Sequence, residues 1–88
     1  MKSKLEINKY GIKLWKLPGG DYHRKDGPAV ETSNGNKYWW LGGKKHRENG
    51  PAIEYSNGRK EWWLNNKKYT EEKYKKKMRL YKLKHILD

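Results

Sequence analysis

The chain has 88 residues, 33% of them hydrophobic and 36% charged, which is one domain's worth with a thin core. Lys and Arg number 22 against 10 Asp and Glu, and the formal charge of +12 attracts polyanions: nucleic acid, an acidic protein surface or anionic lipid headgroups. Cysteine is absent, which excludes disulfides, thiol nucleophiles and Cys-based zinc sites, and no apolar run approaches the roughly 20 residues of a membrane-spanning helix.

The N-terminal stretch MKSKLEINKY lacks the apolar centre of a signal peptide, so the expectation is a soluble protein acting in the cytoplasm. Five Trp and seven Tyr, with no Phe, must carry most of the aromatic burial. The excess charge is spread along the chain, with five bases against two acids in residues 1–22, ten against five in 23–69 and seven against three in 70–88.

Residues 5–22 read as a degenerate first copy of a unit that then recurs in full. HRKDGPAVETSNGNKYWWLGGKK (residues 23–45) aligns with HRENGPAIEYSNGRKEWWLNNKK (residues 46–68) at a spacing of 23. Asn34-Gly35 and Asn57-Gly58 lie between β-compatible runs, and Asn-Gly is the strongest signal for a two-residue type I′ hairpin, whose central residues both need positive φ. Gly42-Gly43 and Asn65-Asn66 suit the same turn at the other end of each hairpin, while Asp26-Gly27-Pro28 and Asn49-Gly50-Pro51 mark a looser turn. The expected fold over residues 1–69 is an antiparallel meander of about five to seven short strands.

A two-residue loop at Asn34-Gly35 would pair Val30 with Trp39 and Ala29 with Trp40. One face would then collect Val30, Trp39, Leu41, His46, Ile53, Trp62, Leu64 and Tyr69 as the core. The other would collect Ala29, Tyr38, Trp40, Lys45 and Arg47, then Ala52, Glu54, Trp63 and Lys68.

Residues 70–88 change character. Thr70 suits an N-cap, Glu71 and Glu72 suit the first turn, and Lys and Arg crowd the later turns. Tyr74, Met78, Tyr81 and His85 recur at helical spacing, with Leu80, Leu83, Ile86 and Leu87 nearby, so one basic amphipathic helix of about 15 residues is expected to pack on the sheet and complete a single domain.

Catalysis finds no support in these residues. His23 and His46 are repeat positions and read as structural, His85 stands alone, and no metal set, Ser-His-Asp arrangement or carboxylate pair can be specified. No cofactor is expected, because the Gly-rich stretches lack the spacing of a phosphate loop. Binding residues are easier to name. Arg24, Tyr38, Trp40, Lys45, Arg47, Arg59, Trp63 and Lys68 interleave cations with aromatics, as a nucleic-acid surface does, and Lys75, Lys76 and Arg79 add charge from the helix. Trp40 and Trp63 stay open between two roles, either covered over Ala29 and Ala52 by lysine stems or left free to stack on a partner.

The tandem HR-x-x-GPA-x-E-x-x-NG-x-x-x-WW-L pattern, followed by KKYTEEKYKKK, resembles the short MORN-like repeat proteins common in tailed-phage and giant-virus genomes. The resemblance covers roughly residues 23–76. It implies β-hairpin units, a viral origin and a scaffold for binding, and it carries no activity. Charge and resemblance together lead to the expectation of a non-enzymatic protein acting on nucleic acid or a nucleic-acid-handling complex, for example as an inhibitor of a host defence such as CRISPR. The alternatives are a protein-protein repeat module of antitoxin-like or virion-associated type, and a protein of anionic membrane surfaces. Pairing of edge strands between chains would make a homodimer.

Overall fold

The computed structural model describes residues 2–87, except for the side chains of residues 85–87. Its strands are β1 (Lys4–Ile7), β2 (Lys13–Lys16), β3 (Val30–Glu31), β4 (Lys37–Tyr38), β5 (Trp40–Leu41), β6 (Lys44–Lys45), β7 (Ile53–Glu54), β8 (Lys60–Leu64) and β9 (Lys67–Tyr69), followed by the helix α1 (Glu71–Leu87). Pairing is antiparallel throughout, in the order β1-β2-β3-β4-β7-β8-β9, with β5 and β6 forming a separate hairpin. The mainly β meander with one C-terminal helix expected from the repeat is the fold observed.

The repeat is visible in the backbone bonds. Trp15 donates to Ala29 and accepts from His23, and Trp39 likewise donates to Ala52 and accepts from His46. Trp15 is therefore the missing indole of the degenerate copy. Its spacing of 24 rather than 23 from Trp39 comes from the turn that follows: Leu17 pairs with Asp21 around Pro18-Gly19-Gly20, whereas Leu41 pairs with Lys44 around Gly42-Gly43 alone.

Two turns take the expected type I′ form. Gly42 and Gly43 have φ of 56° and 80°, and Asn65 and Asn66 have 49° and 70°. Each is tied to the histidine that opens its own unit: the Gly42 amide donates to His23 Nδ1 at 2.8 Å and the Asn65 amide to His46 Nδ1 at 2.9 Å. Both histidines thus serve as backbone acceptors that join the two ends of a repeat.

The Asn-Gly loops differ from expectation. In each only the glycine takes positive φ: the Gly35 amide bonds to the Thr32 carbonyl at 3.1 Å and Thr32 pairs with Asn36, while the Gly58 amide bonds to the Tyr55 carbonyl at 3.0 Å and Tyr55 pairs with Arg59, so both loops have three residues. Thr32 supports this form by accepting the Asn36 amide on Oγ1 at 3.0 Å and donating its hydroxyl proton to Asn34 Oδ1. The added residue shifts the register by one, pairing Val30 with Tyr38 and Ile53 with Glu61. A shift of one residue reverses faces, so Val30 and Ile53 lie on the face of Tyr38 and Glu61, not with Trp39 and Trp62.

The conserved grammar of each unit is explained by one arginine. Arg47 lies 3.8 Å from the ring centre of Trp39, gives Nη1 to the Pro51 carbonyl at 3.0 Å and to Glu54 at 2.9 Å, and gives Nε to Asn49 at 3.2 Å. Arg24 repeats the arrangement on Trp15 at 4.5 Å, with Pro28, Asp26 and Glu31 as partners. A Cβ on Gly27 or Gly50 would come within 2.9 Å of the guanidinium carbon, so Gly-Pro-Ala provides both the space and the acceptor. The alanines that follow, Ala29 and Ala52, are 0% exposed.

The third indole of this series, Trp62, has no following arginine. The helix supplies the substitute, with Tyr74 packing on Trp62 at a ring separation of 4.8 Å. The Tyr74 hydroxyl donates to the Arg47 carbonyl and accepts the Gly50 amide, and burial raises its pKa above the ordinary 10.0. Leu64, Tyr74 and Met78 form a buried cluster with Trp62 and Tyr69 packed against it. Thr70 caps the helix by accepting the Lys73 amide on Oγ1.

The core is accordingly smaller than the sequence reading made it. Ile53 and Leu64 are buried, but Val30, Trp39, Leu41, His46, Trp62 and Tyr69 are only partly buried: the register puts Val30 on the other face, and the helix packs on the third unit and leaves Trp39 and Leu41 of the middle one open. Past Met78, Leu80, Tyr81 and Leu83 are exposed. The expected positions of His85, Ile86 and Leu87 on the packed side lie outside the described side chains.

Candidate functional site

On the face away from the helix, lysines and aromatic rings follow one another in contact across the strands. Lys16 and Tyr22 are bridged, with the Lys16 ammonium 5.9 Å from the Tyr22 ring centre. Tyr22 meets Trp40 edge-on at 5.6 Å. Trp40 pairs with Lys45, whose ammonium lies 5.7 Å from the Trp40 ring and 4.2 Å from that of Trp63. Trp63 in turn pairs with Lys68. The row thus reads Lys16, Tyr22, Trp40, Lys45, Trp63, Lys68.

The repeat produces this alignment. Trp40 and Trp63 are 23 apart, as are Tyr22, Lys45 and Lys68, and the Trp40–Lys45 and Trp63–Lys68 pairs each span a type I′ hairpin. The alternating side chains of a strand send Trp40 and Trp63 to this face and Trp39 and Trp62 to the other. None of the row's members is fully buried.

Glu61 sets the orientation of Trp63. Its carboxylate accepts the Trp63 indole proton at 2.9 Å and the Tyr55 hydroxyl proton at 3.1 Å, and lies 3.7 Å from Lys68 Nζ. The Trp63 bond is the largest reason that its pKa falls below the ordinary 4.5, and Tyr55, Lys68 and Lys45 reinforce it against burial. Glu61 therefore stays ionised and holds the indole by its edge, with the Lys45 ammonium 4.2 Å from the ring centre. Tyr55 is raised above 10.0 by burial and by the same carboxylate.

Of the residues proposed for binding from sequence, Trp40, Lys45, Trp63 and Lys68 are brought together in the row. Tyr38 stands beside it, edge-on to Tyr55 at 6.3 Å, and Arg59 lies 5.8 Å from the Tyr55 ring. Arg24 and Arg47 are not in the row. The chain leaves the strand at His46, alternation ends there, and Arg47 turns to the opposite face onto Trp39. Lys75, Lys76 and Arg79 are exposed on the helix, with Lys75 paired to Glu71 at 2.9 Å. Lys16 and Tyr22 were missed, although Tyr22 stands one repeat before Lys45 and that spacing could have found it.

The opposite face carries a groove of about 720 Å³ between the helix and the middle unit, lined by Trp39, Leu41, His46, Met78 and Tyr81. Among the described residues no three His, Asp or Glu stand together as a metal site, and no helix is long and apolar enough to cross a membrane. Comparison with models of known protein families, with curated protein sequences and with solved structures gives no match.

Proposed function

We propose that this chain is a small basic binding protein that engages nucleic acid, or a complex that handles it, through the row from Lys16 to Lys68. The observation that carries the reading is the Lys45 ammonium between the Trp40 and Trp63 rings, at 5.7 and 4.2 Å, with neither indole enclosed. Stacking surfaces flanked by cations serve bases and phosphates at once. The charge of +12 supplies the long-range attraction. The resemblance to MORN-like viral repeat proteins adds a context in which such a protein acts on a host nucleoprotein complex, including a defence complex of CRISPR type.

Titration of the protein with labelled DNA and RNA at several salt concentrations tests this. Binding is expected to weaken on a log-log slope of about −0.9 for each duplex phosphate neutralised, or about −0.7 on single strands. Absence of binding to either polymer at about 0.1 M salt removes the direct nucleic-acid reading.

The second reading is a protein-protein module, favoured by the half-apolar groove of Trp39, Leu41 and Met78 on the other face. A partner held there would bind with little salt dependence, and Leu41→Glu would abolish its binding while leaving nucleic-acid affinity within about twofold.

A further inference from the structure

The composition of the row bears on which form of nucleic acid it accepts. A duplex turns its base faces inward and offers phosphates and groove edges, whereas a single strand exposes base faces and phosphates alternately along its length. From Lys16 to Lys68 the protein presents rings and ammonium groups in succession. Trp40 and Trp63 both stand close to the same ammonium, so their ring centres are no further apart than the combined reach of 5.7 and 4.2 Å. Two neighbouring unpaired bases and the phosphate between them match that arrangement.

The row is poor in groups that read base edges. It contains no Asn, Gln or Arg. Two carboxylates touch it: Glu6 lies 3.3 Å from Lys16 Nζ at one end, and Glu61 is already occupied by Trp63, Tyr55 and Lys68. Ring faces and ammonium groups recognise any base and any phosphate. Glu61 also repels a phosphate from its own side of Trp63 and holds Lys68 in an ion pair at 3.7 Å, which leaves Lys45 as the place where the backbone can rest.

We infer that the row binds single-stranded nucleic acid in preference to duplex, with bases against Trp40 and Trp63 and the phosphate between them at Lys45, and with little sequence preference. This rests on the reading above that the row is the nucleic-acid surface. In this assignment Glu61 is a positioning residue, acting through the orientation of Trp63.

The test uses the full chain and four fluorescently labelled probes of equal length: oligo(dT), oligo(rU), a DNA duplex, and an abasic single strand that keeps the phosphates without the bases. The expected order is both single strands tighter than duplex, and both tighter than the abasic strand. Trp40→Ala and Trp63→Ala should each weaken oligo(dT) and oligo(rU) about 5- to 100-fold while leaving the abasic strand within about twofold. Trp63→Phe keeps a stacking ring, so it should retain most of the single-strand affinity; circular dichroism shows whether each variant is folded. Glu61→Gln removes a repulsive charge and so strengthens binding of every probe, but it should narrow the ratio of oligo(dT) to abasic-strand affinity, without loss of fold. Duplex bound as tightly as oligo(dT), with no effect of the Trp substitutions, overturns the single-strand inference and leaves polyanion binding intact. If all four probes fail to bind, the broader reading falls as well.

Discussion

Trp62 and Trp63 are adjacent in sequence and do different work. Trp62 packs on Tyr74 in the buried cluster, so Trp62→Ala should cost about 3 to 5 kcal/mol in urea unfolding, whereas Trp63→Ala should cost markedly less. The Arg47 seat gives a sharper test. A Cβ on Gly50 would meet the Arg47 guanidinium carbon at 2.9 Å, and Gly50→Ala should destabilise by about 1 to 3 kcal/mol. Combined with Arg47→Ala, much of that cost should vanish, because the clashing group is gone; strict additivity in the double-mutant cycle would show that the crowding is elsewhere. Glu61 adds a pH dependence. A carboxylate held below 4.5 contributes stability that is complete above the ordinary value and is lost as pH falls through its lowered folded value. Wild-type protein should therefore lose stability on acidification over a range where Glu61→Gln changes less, as followed by thermal unfolding between about pH 6 and 2.

At the scale of elements, legibility depended on whether a turn's chemistry was local. Gly42-Gly43 and Asn65-Asn66 were readable because residues that tolerate positive φ fill both central positions, and both pairs adopt it. Asn34-Gly35 and Asn57-Gly58 carried a stronger dipeptide signal yet form three-residue loops, with Thr32 before one and Tyr55 before the other, so the longer loop does not depend on the Thr32 side chain; the extra residue in each loop moved Val30 and Ile53 to the other face. The repeat located Trp40, Lys45, Trp63 and Lys68 for the candidate site. It did not reveal that Arg24 and Arg47 would turn inward, since their partners are an indole from the previous unit and a carbonyl four residues on. The helix is legible in its cap and first turns, where Tyr74 latches the array. Tyr74→Phe removes a bond to the Arg47 carbonyl and one from the Gly50 amide, and should cost about 1 to 3 kcal/mol with reduced helicity at intermediate urea.

The whole molecule is a two-faced ribbon of repeats. One face is locked by Trp-Arg contacts and, at its C-terminal end, by the helix; the other carries the row of lysines and indoles. The charge of +12 would attract any polyanion weakly, so the account depends on attraction being converted into binding at a particular place. Comparing two double charge reversals tests this most directly. Lys45→Glu with Lys68→Glu alters the row, and Lys76→Glu with Lys84→Glu alters exposed helix positions, while both lower the net charge equally. Oligo(dT) affinity in about 0.1 M salt should fall more than about 100-fold for the first pair and less than about fivefold for the second. Equal losses from the two pairs would contradict the account, because binding would then follow total charge and owe nothing to the row.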